Sequence, residues 1–397
     1  MNRLFLAFRT SAIAALVFFS MIILSGCGGG EGKQISDPLP EKPETGQAGD
    51  GNLQQIVEYI RISEGLPALA AVLVHDGQII EMAATGSRSI NSNNPVTTED
   101  KWHLGSLTKS MTSTLAAILV KQGVISWSTT IADIYPELSG VMHSQYENVR
   151  LDQLLSHTSG MRPNLPNLDS YRTSSLDIES QRQKMLEEAL ILNPEAEQGE
   201  FLYSNLGYMV AGAMMERLTN TSWETLLENN LFTNLGMASS GFGVPDVQDN
   251  LSHPVGHLSQ GSGWTANNTD NPAVLGPAGI VHSSLEDIGN YIAAHLAGAR
   301  GNDVAGLLTA AEFSKLHTAT ENSDYALGWA VTDSTISHNG SNTMWLADIK
   351  IFPGKNTALF IVTNASDVQK GQNSHSFNAI MELTIELVKR ADTEFSN

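Results

Sequence analysis

The chain has 397 residues, 41% of them hydrophobic, which is enough to bury one large core or two lobes and excludes disorder over most of its length. Its 22 basic against 42 acidic residues give a formal net charge of −20, which excludes nucleic acid or an anionic lipid surface as partner, because a phosphate-tracking face needs clustered Lys and Arg. The single cysteine excludes an internal disulfide, a Cys-rich zinc site and a two-cysteine redox motif.

The N-terminus, MNRLFLAFRTSAIAALVFFSMIILSGC, carries Arg3 and Arg9, a largely apolar run from Ala12 to Leu24, and then small residues. That is the layout of a secretory signal, and it is rather short for a membrane-spanning helix. Its end, Leu24-Ser25-Gly26-Cys27, resembles the lipobox of bacterial lipoproteins. The resemblance implies that residues 1–27 form a lipoprotein-type signal and that Cys27 is lipidated, several acyl chains anchoring the chain stably where one gives only marginal binding. The alternative is an ordinary cleaved signal with an incidental cysteine. The expected localisation is exported and lipid-anchored in the cell envelope, on the periplasmic face, with Gly28 after the cysteine pointing to the outer membrane in a Gram-negative cell. Residues 28–52 combine Gly, Pro, Glu and Lys with almost no large apolar side chain, and read as a flexible linker.

From Leu53 the pattern is globular. ALAAVLVHDGQIIEMAATG sets two strand-like runs around His75-Asp76-Gly77, a hairpin signal. KWHLGSLTKS at 101–110 places a serine and a lysine three residues apart where an apolar helical pattern begins, one that closes at Gly123. On a helix these two side chains lie on one face a turn apart, so the Lys109 amine reaches the Ser106 hydroxyl. A serine is a weak nucleophile until a base takes its proton, and a lysine serves as that base only when burial leaves it neutral. Helices are expected at 107–122, 151–156, 176–192, 205–219 and 222–230, then at SLEDIGNYIAAHLAG. Strand-like YALGWAV, MWLADIKIF and NTALFIVTN follow, and an amphipathic helix at 376–391. Strands at both ends with helices between predict an α+β domain over 53–397: a mixed lobe of about 53–100 plus 284–397, and an inserted, mainly helical lobe of about 101–283.

GSLTKS at 105–110, LLSHTSGM at 154–161, FLYSNLGYMVAG at 201–212, NLGM at 234–237, GPAGIVHSSLEDIGNYIAAHL at 276–296 and SHNGS at 337–341 occur in the order seen in the class C beta-lactamase-like serine hydrolases, which this chain resembles. The resemblance implies the beta-lactamase/transpeptidase-like fold, an antiparallel sheet flanked by N- and C-terminal helices, with Ser106 as nucleophile. By the same resemblance, Tyr203 and Asn205 project a phenol and an amide beside the Ser106–Lys109 pair. A tyrosine near a lysine ammonium can be depressed in pKa and relay a proton, and an asparagine offers both donor and acceptor. Asn205 equally suits a helix N-cap, and Tyr203 a core position. His338-Asn339-Gly340 stands where beta-lactamases and D,D-peptidases of the family usually have Lys-Thr-Gly. There Gly340 leaves room for substrate against a strand, and the resemblance implies that the Ser341 and Ser106 amides form an oxyanion hole. His338 is expected to be mostly uncharged, offering a substrate carboxylate a hydrogen bond without a positive charge; a structural histidine satisfied by its neighbours is the alternative.

His157 reads as structural, at a helix end before the turn-forming Ser159-Gly160. The loop 259–272, with Trp264, either overhangs the cleft or is a plain surface loop. No metal-ligand spacing, Gly-rich phosphate loop or Gly-x-Ser-x-Gly elbow occurs, so no metal or cofactor is expected. The expectation is an exported, lipid-anchored serine hydrolase forming an acyl-enzyme on a small-molecule or peptide ester or amide, with the membrane as its other partner. The alternatives are a beta-lactamase or D,D-peptidase, and a non-catalytic envelope-binding lipoprotein.

Overall fold

The computed structural model describes residues 31–245, 251–320 and 323–395; the signal segment with Cys27, and the first residues of the expected linker, lie outside them. Asp76 and Gly77 take positive φ, 49° and 72°, the conformation of a two-residue turn that matches right-twisted strands. They join β1 (Ala68–His75) to β2 (Gln78–Gly86) in the expected hairpin. Four late strands, β3 (Ala330–Val331), β4 (Ile336–Ser341), β5 (Leu346–Phe352) and β6 (Thr357–Thr363), complete an antiparallel sheet of order β2-β1-β6-β5-β4-β3. β1 pairs with β6 from Leu69 opposite Thr363 to His75 opposite Thr357, so both ends of the chain share one sheet.

β1 and β6 read as nearly continuous apolar runs because helices cover both faces. On one face Val72, Ile349 and Phe360 meet Ile288 and Ile292 of a later helix, Leu285–Ala299. On the other, Leu69, Leu73 and Ile361 pack against α1 (Leu53–Ser63) and the C-terminal helix His375–Phe395 through Ile56, Ile60, Ile380 and Leu383. Between the sheet and the remaining helices lies α2 (Thr108–Lys121), buried continuously from Thr108 to Leu119. Its buried hydroxyls are satisfied within the fold: Ser110 donates to Leu107 O, Thr112 to Pro277 O and Thr114 to Ser110 O.

Of the expected helices, the one at 205–219 recurs with both ends in place as α4 (Asn205–Thr219), and the one at 176–192 is shorter, as α3 (Ile178–Leu190). Two expectations change in kind. The helix expected at 222–230 is α-helical only over Trp223–Leu227 and then widens into a π-helical stretch, Glu228–Phe232. Of YALGWAV only Ala330–Val331 forms a strand, Tyr325 making an isolated bridge to Ala330.

The linker expectation needs correction from residue 32 onward. Gly32 N–H donates to Gln260 O, and Lys33 exchanges backbone hydrogen bonds with Trp264. Farther along, Asp37 pairs with the buried Arg61 at 2.9 Å, Ala48 is buried in the outer core, and the buried Arg390 takes Asp50 at 2.8 Å and the Thr45 carbonyl. The composition that denies this stretch a core of its own does not stop it being held by partners elsewhere. Arg61 and Arg390 are sealed in the fold, and a buried guanidinium requires carboxylates: the strap adds Asp37 to Glu58 at Arg61, and Asp50 to Glu81 at Arg390.

In the helical region the guanidinium of Arg182, fully buried on α3, bridges Glu216 of α4 and Glu224 of the following helix, its Nη1 standing 3.1 Å from Glu224 Oε2. Glu216 also accepts the Trp223 amide at 2.8 Å. Removing one partner of such a cluster strands the others without compensation. Arg182→Ala is therefore expected to destabilise the fold by about 3–5 kcal/mol, read as a lowered urea midpoint and Tm, whereas Arg217→Ala, which opens the exposed pair with Glu137, should move both far less.

Candidate active site

The site forms where the 3-10 turn Gly105–Leu107 enters α2, between β4 and the start of α4. Ser106, half-buried, stands in that turn, and Lys109 lies in the first turn of α2, wholly buried. The Lys109 Nζ lies 3.1 Å from Ser106 Oγ, 2.8 Å from Asn205 Oδ1 and 2.8 Å from Ala278 O. Burial, with no carboxylate beside it among the described residues, pushes the Lys109 amine well below its usual range. A neutral amine has two N–H groups and one lone pair. The amide and peptide carbonyls can only accept, so they take both N–H groups, and the lone pair is left for the Ser106 hydroxyl proton.

Asn205 is held for this contact, because its Nδ2 donates to Asn164 Oδ1 at 3.0 Å and so turns Oδ1 towards the lysine. It is not the N-cap of α4. Ser204 caps, accepting the Gly207 amide at 3.0 Å and donating to Arg162 O at 2.7 Å. Tyr203 precedes the cap, its ring centroid 4.8 Å from Lys109 Nζ. Burial pushes its phenol up, opposed in part by the Ser106 hydroxyl nearby, so the expected depression of its pKa is reversed. A tyrosine is depressed by an ammonium neighbour, and burial disfavours the ammonium form of Lys109.

Two glycines let the nucleophile turn and β4 touch backbone to backbone. A Cβ on Gly340 would stand 2.0 Å from Leu104 O and 2.7 Å from Ser106 N, and a Cβ on Gly105, at φ 53°, would stand 2.4 Å from Ser341 N. The main chain at Ser106 and that at Ser341 thereby lie close together. β3 covers β4 only at Ile336–Ser337, which leaves the edge of 338–341 without a strand partner.

His338 is buried, and burial pushes it down to about 3. Its Nδ1 lies 2.5 Å from Asn339 O and its Nε2 2.9 Å from the Tyr325 hydroxyl. A carbonyl can only accept, so Nδ1 carries the proton and Nε2 accepts from Tyr325. Both ring nitrogens are engaged within the protein. The expectation that His338 offers a carboxylate a hydrogen bond is corrected: it is the satisfied histidine of the alternative, and it is neutral.

The 259–272 stretch divides. His257–Gln260 and Gly263–Ala266 form a small hairpin, and Trp264 packs in the outer core with its indole N–H on Gly65 O at 2.7 Å, away from the cleft. Residues 270–271 do reach it: Asp270 contacts His103 Nε2 at 2.9 Å and Asn342 Nδ2 at 3.2 Å, and Asn271 donates to Gly279 O at 2.8 Å. His103 Nδ1 accepts the Gly105 amide at 3.1 Å, so this contact fixes the nucleophile turn from behind. Sequence reading missed Asn164, Tyr325, His103 and the Ala278 carbonyl, since a spatial neighbour with no motif of its own leaves no periodic signal. Cys27 lies outside the described residues. Among the described residues no three His, Cys, Asp or Glu side chains are placed to hold a metal ion.

A family model described as Beta-lactamase matches residues 50–378. The chain is 24% identical over 332 residues to "Penicillin-binding protein 4" of Amycolatopsis lactamdurans, covering 78% of this chain and 84% of that protein. It is 27% identical over 243 residues to a "Beta-lactamase" of Providencia stuartii, covering 60% of this chain and 58% of that one. Among solved structures, the octameric penicillin-binding protein homologue from Pyrococcus abyssi superposes with a TM-score of 0.65 at 20% identity, covering 87% and 78% of the two chains. The D-alanine carboxypeptidase AmpC from Burkholderia cenocepacia gives 0.65 at 17%, covering 85% and 97%. These likenesses establish the mixed helix and antiparallel-sheet fold.

The lysine geometry gives a test with a definite sign. The reactive form is the neutral amine, present above the Lys109 pKa, so Ser106 labelling by a fluorophosphonate should fall as pH drops through that pKa. Asn205→Asp sets a carboxylate against the amine, stabilises the ammonium, and should move the acid limb of the labelling profile up by about 1–3 pH units. Labelling at pH 7.5 should drop and recover at higher pH, read by intact mass.

Proposed function

This chain belongs to the Beta-lactamase family, and from that premise we propose that it is an exported serine hydrolase acting through an acyl-enzyme on an ester or amide. The observation that carries the reading is the buried Lys109 Nζ, 2.8 Å from both Asn205 Oδ1 and Ala278 O and 3.1 Å from Ser106 Oγ, a setting that favours the neutral amine with its lone pair free for Ser106. Lys109 takes the Ser106 proton as Oγ bonds to the carbonyl carbon, and the Ser106 and Ser341 amides hold the developing oxyanion. The proton returns through Lys109 and the protonated Tyr203 phenol to the leaving oxygen or nitrogen as its bond to carbon breaks. Water then attacks the acyl-enzyme, gives its proton to Lys109, and releases the acid as Ser106 is reprotonated. A purely binding lipoprotein has no chemical need for a buried, uncompensated lysine beside a serine.

The substrate class follows from the third element of the site. With His338 neutral and both nitrogens occupied, the position that carries lysine in beta-lactamases and D,D-peptidases contributes neither a cation nor a free donor. Charge-assisted hydrogen bonds are about twice as strong as neutral ones, so a substrate carboxylate forgoes on the order of 1 kcal/mol or more. A neutral ester forgoes nothing. Short-chain p-nitrophenyl esters should therefore exceed a chromogenic cephalosporin and D-amino-acid amides in kcat/KM at pH 7.5, all activity vanishing in Ser106→Ala. His338→Lys should shift the ratio towards the carboxylate-bearing substrates. The names of the relatives favour the second reading, a beta-lactamase or D,D-peptidase, and wild-type cephalosporin turnover above the best ester rate would select it.

The anchor belongs to the same reading. Gly32 is already bonded to the fold, so Cys27, five residues earlier, leaves a leash of at most about 18 Å. A lipidated Cys27 therefore holds the domain against the bilayer where a free linker through residue 52 would let it range. The protein should fractionate with membranes and Cys27→Ser should release it; a soluble wild-type chain with an unmodified N-terminus would refute the anchor.

A further inference from the structure

We infer that His157 is a positioning residue for Tyr203: it grips the peptide on both sides of the tyrosine and sets the phenol against Ser106. The inference rests on the acyl-enzyme reading above. The Leu202 amide donates to the His157 carbonyl at 2.8 Å, and the Ser204 amide donates to His157 Nδ1 at 3.0 Å. One residue thus binds both amides that flank Tyr203, one with its backbone and one with its ring. Between those two bonds the tyrosine lies along the imidazole, ring centroids 4.2 Å apart and tilted by 38°.

This grip requires an uncommon backbone. His157 has φ 61°, in the left-handed region, and the fold pays for that strain at a residue whose side chain is wholly buried. The left-handed turn lets a single residue present its carbonyl and its own Nδ1 to the same passing segment. A plain helix end would be served by glycine or asparagine at that φ, and neither supplies a ring.

The tautomer follows from the partners. Nδ1 accepts from a backbone N–H, so the proton sits on Nε2, and that N–H is buried with no hydrogen-bond partner among the described residues. An orphaned buried donor is a cost that packing alone does not explain. Around it stand the rings of Tyr203, Tyr208 and Tyr325, with Lys109 and His338 as titratable neighbours, and burial holds the imidazole neutral. His157 therefore acts as a neutral wedge: it fixes the Tyr203 ring beside the Lys109 amine without adding a charge that would compete for the Ser106 proton.

The test uses the full chain, with active sites counted by fluorophosphonate titration and kcat expressed per titrated site. His157→Gly keeps the left-handed backbone and removes the ring and its acceptor; kcat should fall about 100-fold, the scale of an ångström-sized misplacement, with KM little changed. His157→Asn tolerates the same φ and offers Oδ1 to the Ser204 amide, and should recover most of the loss. The decisive arm is a double-mutant cycle. If His157 acts through Tyr203, adding His157→Gly to Tyr203→Phe should cost little beyond Tyr203→Phe alone. Additive losses, or a His157→Gly protein whose kcat per titrated site is normal and whose only defect is a lowered Tm, would overturn the inference and leave His157 a structural residue. A wild-type chain in which Ser106 takes no label would instead refute the acyl-enzyme reading itself, so the two failures are distinct.

Discussion

A lysine amine sealed from water between two carbonyl oxygens and a serine hydroxyl, with no carboxylate among the described residues to hold its charge, is the constraint from which the chemistry of this protein follows. The ammonium form would need either solvent or a counter-ion, and α2, buried along twelve consecutive residues from Thr108 to Leu119, denies it both. The carbonyls of Asn205 and Ala278 arrive from α4 and from the Gly276–Gly279 turn, so three separate segments must meet at one nitrogen for the lone pair to face Ser106. The protonation of Tyr203 and the neutrality of His338 are consistent with that choice, because each is buried around a base that carries no charge of its own.

Backbone contact, more than side-chain chemistry, places the other half of the site. The 3-10 turn of the nucleophile and β4 approach so closely that any side chain at Gly105 or Gly340 would collide with main-chain atoms opposite. His103 and Asp270 brace the turn from behind. The sheet that carries β4 is completed by β1 and β2 from the other end of the chain, and the strap of residues 32–52 is locked across its outer helices by Arg61 and Arg390. The N-terminal segment is thereby part of the folded body to which an anchor would be attached.

Much of this was legible in the amino-acid order. Ser106 and Lys109 announce themselves by helical spacing at the start of an apolar helix, and β6 by a nearly continuous apolar run. The pattern could not reveal the segment 32–52, because composition reports what a stretch can bury by itself and not which arginines elsewhere need its carboxylates. Trp264 misled for the opposite reason: an aromatic in a polar loop suggests a cleft wall, but its indole lies against α1. His157 was read as a turn residue, which describes its backbone correctly. Its grip on the amides of Leu202 and Ser204 depends on a contact across more than forty residues of chain, which no local signal encodes.

The central claim is the neutral lysine, and its protonation can be observed without any substrate. In protein labelled with 15N at lysine Nζ, with Lys109→Arg to assign the resonance, the Lys109 signal at pH 7.5 should fall in the amine range, apart from the exposed lysines, and should move to the ammonium range only as pH is lowered. An ammonium resonance for Lys109 at pH 7.5 that titrates near 10.4 with the exposed lysines would contradict the account, since the third N–H would then point at Ser106 and no base would be left to take its proton.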